Sequence, residues 1–144
     1  MNKRALSTSV MLAGILVFIL GAAAATFIFA LPRPAWTEIG PVADFPPRAA
    51  PYRVATPVVF FISNDGQAII ALAPQDPHPR GCDVNWDVER SQFNDPCLGS
   101  QYTYLGVYAS GPSARNLNQY PIKVVNGTLF VDFSRPIKSN APHD

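Results

Sequence analysis

The sequence is poor in the residues that build metal sites and nucleic-acid sites. Its 144 residues include only two cysteines and two histidines, which severely limits any metal site made entirely of protein ligands. Charged residues make up 15% of the chain, the formal net charge is +1, and lysine and arginine form no cluster, so nucleic-acid binding is not expected. The sequence also lacks a Gly-x-Ser-x-Gly elbow and the glycine-rich phosphate motifs, which argues against a hydrolase and a nucleotide site.

The longest stretch without an ionisable side chain lies near the N-terminus. It runs for 28 residues between Arg4 and Arg33. The hydrocarbon core of a bilayer, about 30 Å thick, needs about 20 apolar helical residues, and residues 10–31 supply them without a proline. We therefore expect a cytoplasmic N-terminus over residues 1–9 and one transmembrane helix over 10–31. A cleaved signal peptide is the alternative, although the apolar stretch is longer than such a peptide requires.

A proline-rich segment follows the apolar stretch. Six prolines lie between positions 32 and 51, and proline can continue neither a helix nor a central strand. We expect residues 32–56 to form an extended tether, with Trp36 at the membrane interface.

From residue 57 onward, short β-rich segments alternate with turn signals. Two hairpins are predicted, one across Asn64-Asp65-Gly66 and a stronger one across Asn126-Gly127, which suits a two-residue type I′ turn. Residues 101–108 alternate as a further strand would. No helical periodicity follows the apolar stretch, so we expect an all-β antiparallel domain over residues 57–135 and a C-terminal tail over 136–144.

Two segments between the hairpins carry a resemblance to a known family. They read Pro96-Cys97-Leu98-Gly99-Ser100-Gln101-Tyr102 and, one strand later, Ser110-Gly111-Pro112-Ser113-Ala114-Arg115-Asn116-Leu117. In order and spacing they resemble the second cluster-binding box and the proline loop of Rieske iron–sulfur domains. The resemblance covers most of residues 57–133 and implies a Rieske-like antiparallel β-sandwich. The N-terminal apolar stretch likewise resembles the single anchor of Rieske subunits in quinol:cytochrome c oxidoreductases.

The resemblance does not extend to the cluster ligands. A Rieske centre needs two thiolates and two imidazoles, but the four matching positions hold Pro77, Pro79, Asp95 and Leu98. A shifted register does not restore the set, because histidines would then be needed at Val84 and Ser100. We therefore expect this domain to bind no iron–sulfur cluster, other metal or cofactor.

The two cysteines, unlike the cluster ligands, are retained from the family pattern. Cys82 and Cys97 match the pair that forms a disulfide beneath the cluster, so the resemblance implies a disulfide here. A copper or zinc site on the same two residues would need two further ligands. His78, between two prolines, is expected to be a solvated loop residue, and Ser100 and Tyr102 are assigned no redox role. Because a disulfide needs an oxidising compartment, we expect the β domain on the extracytoplasmic side of a bacterial-type inner membrane.

The expected function is structural rather than enzymatic. The resemblance implies a membrane-anchored accessory subunit, docked on the extracytoplasmic face of a multi-subunit electron-transport complex. A quinol:cytochrome c reductase, an oxidase supercomplex and a photosynthetic reaction centre all fit. The expected partners are other subunits of that complex and the lipid bilayer. The alternative is a small membrane-anchored redox or ligand-binding protein in which Cys82 and Cys97 cycle between dithiol and disulfide, although they lack the Cys-x-x-Cys spacing that lowers a thiol pKa.

Overall fold

A computed structural model describes residues 17–18, 35–113 and 115–139. The predicted transmembrane helix over residues 10–31 lies outside the described residues, except for Val17 and Phe18. Within the described part, no helix has the length and apolar character needed to cross a bilayer. Most of the C-terminal tail also lies outside.

The described residues from 35 onward fold into eleven short strands. In chain order they are β1 (Trp36–Pro41), β2 (Tyr52–Val54), β3 (Phe60–Asn64), β4 (Ile69–Leu72), β5 (Asn85–Asp87), β6 (Gln92–Asn94), β7 (Gln101–Tyr102), β8 (Tyr108–Ser110), β9 (Gln119–Tyr120), β10 (Ile122–Val125) and β11 (Thr128–Asp132). They form three sheets in which neighbouring strands are antiparallel. The first has the order β1-β11-β10, the second β2-β3-β4-β9 and the third β5-β6-β7-β8. The all-β antiparallel prediction is therefore confirmed.

Strand β3 supplies side chains to both hydrophobic clusters of the domain. Successive residues of a strand point to opposite faces of the sheet. Phe60 and Ile62 accordingly pack with Leu129 and Val131 of the first sheet, whereas Phe61 faces the other way. Phe61 belongs to the second cluster, with Leu72, Val84, Phe93, Tyr102 and Leu117. This second cluster contains side chains from both the second and the third sheet. It also includes Val84, which directly precedes β5.

Both predicted hairpins are present. Strands β3 and β4 pair with Asn64 opposite Ile69, and Gly66 between them has a φ of +89°. Strands β10 and β11 pair with Val125 opposite Thr128, which leaves a two-residue turn. Asn126 and Gly127 in that turn have φ values of +50° and +78°. Positive φ at both central residues is the type I′ requirement that Asn-Gly meets.

The predicted tether is wrong over two segments. Strand β1 pairs with β11, with Trp36 opposite Asp132, and β2 pairs with β3, although both lie within residues 32–56. The β domain therefore begins at Trp36 rather than at residue 57. Prolines did not prevent this because both strands lie at sheet edges, where a missing backbone N–H is tolerated. Of the described prolines in the segment, Pro41 ends β1 and the other three lie between β1 and β2.

The predicted strand over residues 101–108 is divided into β7 and β8, which pair with each other. A turn separates them, closed by a hydrogen bond from the Gly106 N–H to the Thr103 carbonyl at 2.8 Å. Gly106 has a φ of +74°, and a Cβ there would lie 2.7 Å from Cδ2 of Leu72. Alternating sequence predicted the strand character, but this close packing against the core imposes the turn.

Candidate functional site

Two loops meet at one end of the third sheet. Loop 1 (residues 75–83) connects β4 to β5, and loop 2 (residues 95–100) connects β6 to β7. A disulfide between Cys82 and Cys97 joins them, with the Cα atoms 5.7 Å apart. The disulfide prediction is therefore confirmed. We call the two loops together the tip.

Asp95 holds both cysteines from inside loop 2. Its side chain is buried, with 2% of the residue exposed. One carboxylate oxygen accepts hydrogen bonds from the backbone N–H groups of Cys97 at 2.9 Å and Cys82 at 3.2 Å. The other accepts from the Leu98 N–H at 3.2 Å. Asp95 thus contacts both halves of the cross-link, and both of its carboxylate oxygens are engaged.

Asp76 is the buried carboxylate of loop 1, as Asp95 is of loop 2. It is also 2% exposed. Its Oδ1 accepts a hydrogen bond from the His78 N–H at 2.7 Å, and its own N–H donates to the Cys82 carbonyl at 3.0 Å. A Cβ on Gly81 would lie 2.5 Å from Cβ of Asp76. Loop 1 therefore closes tightly around this carboxylate, and the closure requires glycine at position 81.

A polar cluster lies beneath the tip, around the second oxygen of Asp76. The Asp76 Oδ2 and the Tyr102 hydroxyl are both buried and find no hydrogen-bond partner within the part of the chain that the structure describes. Burial by itself raises the pKa of Asp76, but the hydrogen bond from the His78 N–H, together with the nearby hydroxyls of Ser100, Tyr102 and Ser113, holds it below its ordinary value. Burial, followed by the nearby Asp76 carboxylate, raises the pKa of Tyr102 well above its ordinary value. Asp76 is therefore ionised and Tyr102 neutral near pH 7.

A third loop, formed by residues 111–117, packs against loop 2. Gly111 has a φ of +104°, and a Cβ there would lie 2.5 Å from Cα of Ser100. The Ser113 N–H donates to Oγ of Ser100 at 3.3 Å, and Ser113 is buried. The segment that carried the resemblance to a proline loop thus lies beside the tip.

The four positions that match the cluster ligands of the family, and that hold no ligand here, all lie in the tip. Pro77 and Leu98 are half-buried, Pro79 is exposed and Asp95 is buried. The side chain of His78 accepts a hydrogen bond from the Arg80 N–H at 3.2 Å through its Nδ1, so its imidazole takes part in a local turn. The other histidine of the chain, His143, lies outside the described residues.

One group of potential metal ligands occurs among the described residues. The ligand atoms of Cys82, Asp95 and Cys97 lie within 4.8 Å of one another. However, the two sulfur atoms are bonded to each other, and a metal requires thiolates. The Asp95 oxygens already accept backbone hydrogen bonds. These three residues therefore hold the two loops together, through the disulfide and the Asp95 hydrogen bonds, and do not form a ligand set.

Sequence reasoning missed two residues of the site. Asp76 was given no role by the sequence, and Ser113 appeared only as part of the segment that resembles a proline loop. The signal for Asp76 was present in Asp76-Pro77-His78, because aspartate often accepts a hydrogen bond from the N–H two residues later. The contact between Asp76 and hydroxyls from two other loops carries no sequence signal.

An antiparallel β domain with two disulfide-linked loops at a tip, and a Gly-Pro loop beside them, is a Rieske-like domain. The chain is 29% identical over 96 residues to the cytochrome b6-f complex iron-sulfur subunit of Chlorobaculum tepidum. The match covers 67% of this chain and 52% of that subunit, so the chain spans about half the length of the curated relative. No protein-family model matches the chain.

Two solved structures are similar in fold. The plasma membrane Rieske protein PetC3 from the cyanobacterium Synechocystis is 27% identical, with a TM-score of 0.52 over 67% of this chain and 98% of that one. A chain of a hyperthermophilic respiratory Complex III is 26% identical, with a TM-score of 0.51 over 85% of this chain and 98% of that one.

The residues at the tip do not fit a Rieske cluster. The cluster needs two thiolates and two imidazoles. The two cysteines of the chain are bonded to each other, and the tip contains one histidine. Two buried carboxylates, Asp76 and Asp95, organise the loops instead.

Proposed function

We propose that this chain is a cluster-free, membrane-anchored accessory subunit of an electron-transport complex. The observation that carries the proposal is the closure of the tip: loops 1 and 2 fold around Asp76 and Asp95 and are locked by the disulfide. Such a tip is rigid before it meets a partner, so docking costs little ordering entropy. The similar proteins from Chlorobaculum tepidum and the hyperthermophilic Complex III are, by their names, components of electron-transport complexes.

The proposed role is contact rather than electron transfer. The surface of the tip carries the exposed Pro79, the half-buried Pro77 and the half-buried Leu98. Rigid apolar groups of this kind suit a protein interface, where preorganised side chains lose little freedom on binding. The chain thereby stabilises the assembly of its host complex without supplying a redox centre.

The membrane anchor and its orientation are part of the same proposal. The 28-residue uncharged stretch supports one span over residues 10–31. The disulfide supports an extracytoplasmic β domain, because disulfides persist in oxidising compartments.

The second candidate function, a dithiol–disulfide protein, is favoured by one observation. Cys97 is exposed, so a thiolate of another molecule could reach its sulfur atom. Deletion of the gene followed by complementation separates this dithiol–disulfide function from the accessory-subunit function.

The test is deletion of the gene followed by complementation. We expect the deletion to lower the yield of the host complex while the electron-transfer rate per surviving complex stays unchanged. A Leu98→Asp variant, which places a charge on the tip, should behave like the deletion. The matched control is Val88→Asp, because Val88 is 75% exposed in the turn between β5 and β6, at the opposite end of that hairpin from loop 2. It should restore the yield.

The same preparations give the outcomes that would contradict the proposal. Fully assembled complexes that cannot transfer electrons, or iron–sulfur absorption in the purified chain, would identify a carrier. A Cys82→Ser/Cys97→Ser variant that gives a normal yield of the host complex but a lower electron-transfer rate per complex would favour the dithiol function.

A further inference from the structure

We propose that one face of the first sheet rests on the headgroup layer of the membrane. The face consists of Trp36, Lys123, Phe130 and Arg135, and we call it the Trp36 face. Its occupant is the interfacial layer of the lipid bilayer. The inference rests on the proposed membrane anchor and deepens it, because it assigns a second membrane contact to the β domain.

The face is defined by contacts around the Lys123 ammonium group. The Nζ of Lys123 lies 4.4 Å from the ring centroid of Trp36 and 5.4 Å from that of Phe130. Lys123 and Phe130 are also opposite each other in the pairing of β10 with β11. The three side chains therefore share one side of the sheet. Tryptophan and lysine are both suited to an interface, since each has an apolar body and a polar end.

The charges on this side of the sheet are balanced. The Nε of Arg135 lies 3.2 Å from Oδ2 of Asp132, whose side chain is fully buried. Glu38 is exposed and pairs with Phe130 from the opposite strand. The two cations on this side, Lys123 and Arg135, are thus matched by two carboxylates, those of Asp132 and Glu38. The contact is therefore driven by the amphipathic aromatic and lysine side chains and does not require anionic lipid.

The length of chain before β1 places the face near the bilayer. The predicted span ends at residue 31 and β1 begins at Trp36, five residues later. Even fully extended, five residues reach about 18 Å, and the headgroup layer itself is roughly 5–8 Å thick on each side. Trp36 is part of the sheet, because it begins the pairing of β1 with β11, opposite Asp132. With the proposed anchor, the start of β1 therefore lies no more than about 18 Å from the end of the span.

The experiment uses the full chain reconstituted in phosphatidylcholine vesicles with bromine on the acyl chains next to the headgroups. The chain has two tryptophans, so a Trp86→Phe variant leaves Trp36 as the only indole. We expect brominated lipid to quench its emission relative to unbrominated vesicles. The matched control is Trp36→Phe, which retains Trp86. Trp86 packs 5.0 Å from Phe93 in the third sheet, and its emission should be unchanged.

The possible failures are distinguishable. A chain that floats with the vesicles but shows no quenching of Trp36 overturns this inference and leaves the anchor intact. A chain that does not float contradicts the anchor itself. Emission from Trp36 that responds only when the host complex is added would assign the face to a protein subunit and also overturn the inference.

Discussion

Asp76 is a buried carboxylate whose surroundings favour its charged form. One oxygen accepts the His78 N–H, and the other faces the hydroxyl cluster beneath the tip. Because the His78 hydrogen bond and the nearby hydroxyls hold its pKa below the ordinary value of 3.8, the ionised group stabilises the folded state. A depressed pKa contributes stability that is complete above the unfolded pKa and is lost as the pH falls through the folded value.

We therefore expect Asp76→Asn to lower the free energy of unfolding by about 1–3 kcal/mol near neutral pH, because the variant keeps the shape and the Oδ1 acceptor but loses the charge that strengthens the hydrogen bond. The difference from the wild type should be constant above about pH 5 and should shrink in acid, as the wild-type carboxylate becomes protonated. Chemical denaturation of the full chain in detergent, repeated from pH 7 to pH 3, measures this.

The control is Asp83→Asn, because Asp83 is an exposed carboxylate in the same loop. It should change the unfolding free energy by less than about 0.5 kcal/mol, as most surface substitutions do. A gap between Asp76→Asn and the wild type that persists unchanged at pH 3 would show that the Asp76 charge is not the stabilising feature.

Some residues of the site were predictable and others were not. Cys82 and Cys97 followed from the family pattern, and their disulfide is confirmed. The roles of Asp76 and Ser113 depend on contacts between loops that are 13 or more residues apart in sequence, as in the Ser113–Ser100 hydrogen bond. Single-sequence patterns record local spacing, so contacts of this kind leave no trace in them.

Among the elements, the two tip loops depend on each other through the disulfide and Asp95. Loop 1 and loop 2 each contain a few backbone hydrogen bonds of their own, such as the 2.8 Å bond from the Gly81 N–H to the His78 carbonyl. The cross-link is the covalent restraint between them.

We expect a Cys82→Ala/Cys97→Ala variant to lose roughly 3 kcal/mol of unfolding free energy, the chain-entropy value for a closed loop of about 15 residues. Amide hydrogen exchange should accelerate in loops 1 and 2 but remain slow in β10 and β11, which lie in a different sheet. Wild-type protein treated with a reductant provides the comparison and should match the variant. Unchanged stability and unchanged exchange in the loops would mean that the Asp95 hydrogen bonds suffice.

The hairpins were predictable because their signals are local. Asn126-Gly127 specifies a two-residue turn wherever it occurs between β-rich segments. The pairing of β1 with β11 has no such signal. The prolines that follow β1 indicated an extended tether instead of a strand. The partner strand of β1 lies about ninety positions further along the chain.

For the molecule as a whole, β11 is the central strand of the first sheet. It pairs with β1 on one side and β10 on the other. It also supplies Leu129 and Val131 to the cluster around Phe60 and Ile62. The first sheet and the hydrophobic cluster around Phe60 and Ile62 therefore depend on β11.

We expect a chain truncated after Asn126 to lose the first sheet and to become sensitive to protease at β1 and β3. The matched control ends at Ser139, which removes only residues beyond the last strand and should remain resistant. Limited proteolysis followed by mass analysis of the fragments measures the difference. Protection of residues 36–64 in the shorter chain would contradict the dependence on β11.

The same pairing sets the order of events when the protein is made. The first strand leaves the ribosome early, but its partner follows about ninety residues later, which takes roughly 5–20 s at ordinary rates of synthesis. During that interval β1 remains without its neighbour, and closing so long a loop is slow compared with forming the local hairpins. The hairpins can therefore form during synthesis, whereas the first sheet is completed only after β11 has emerged.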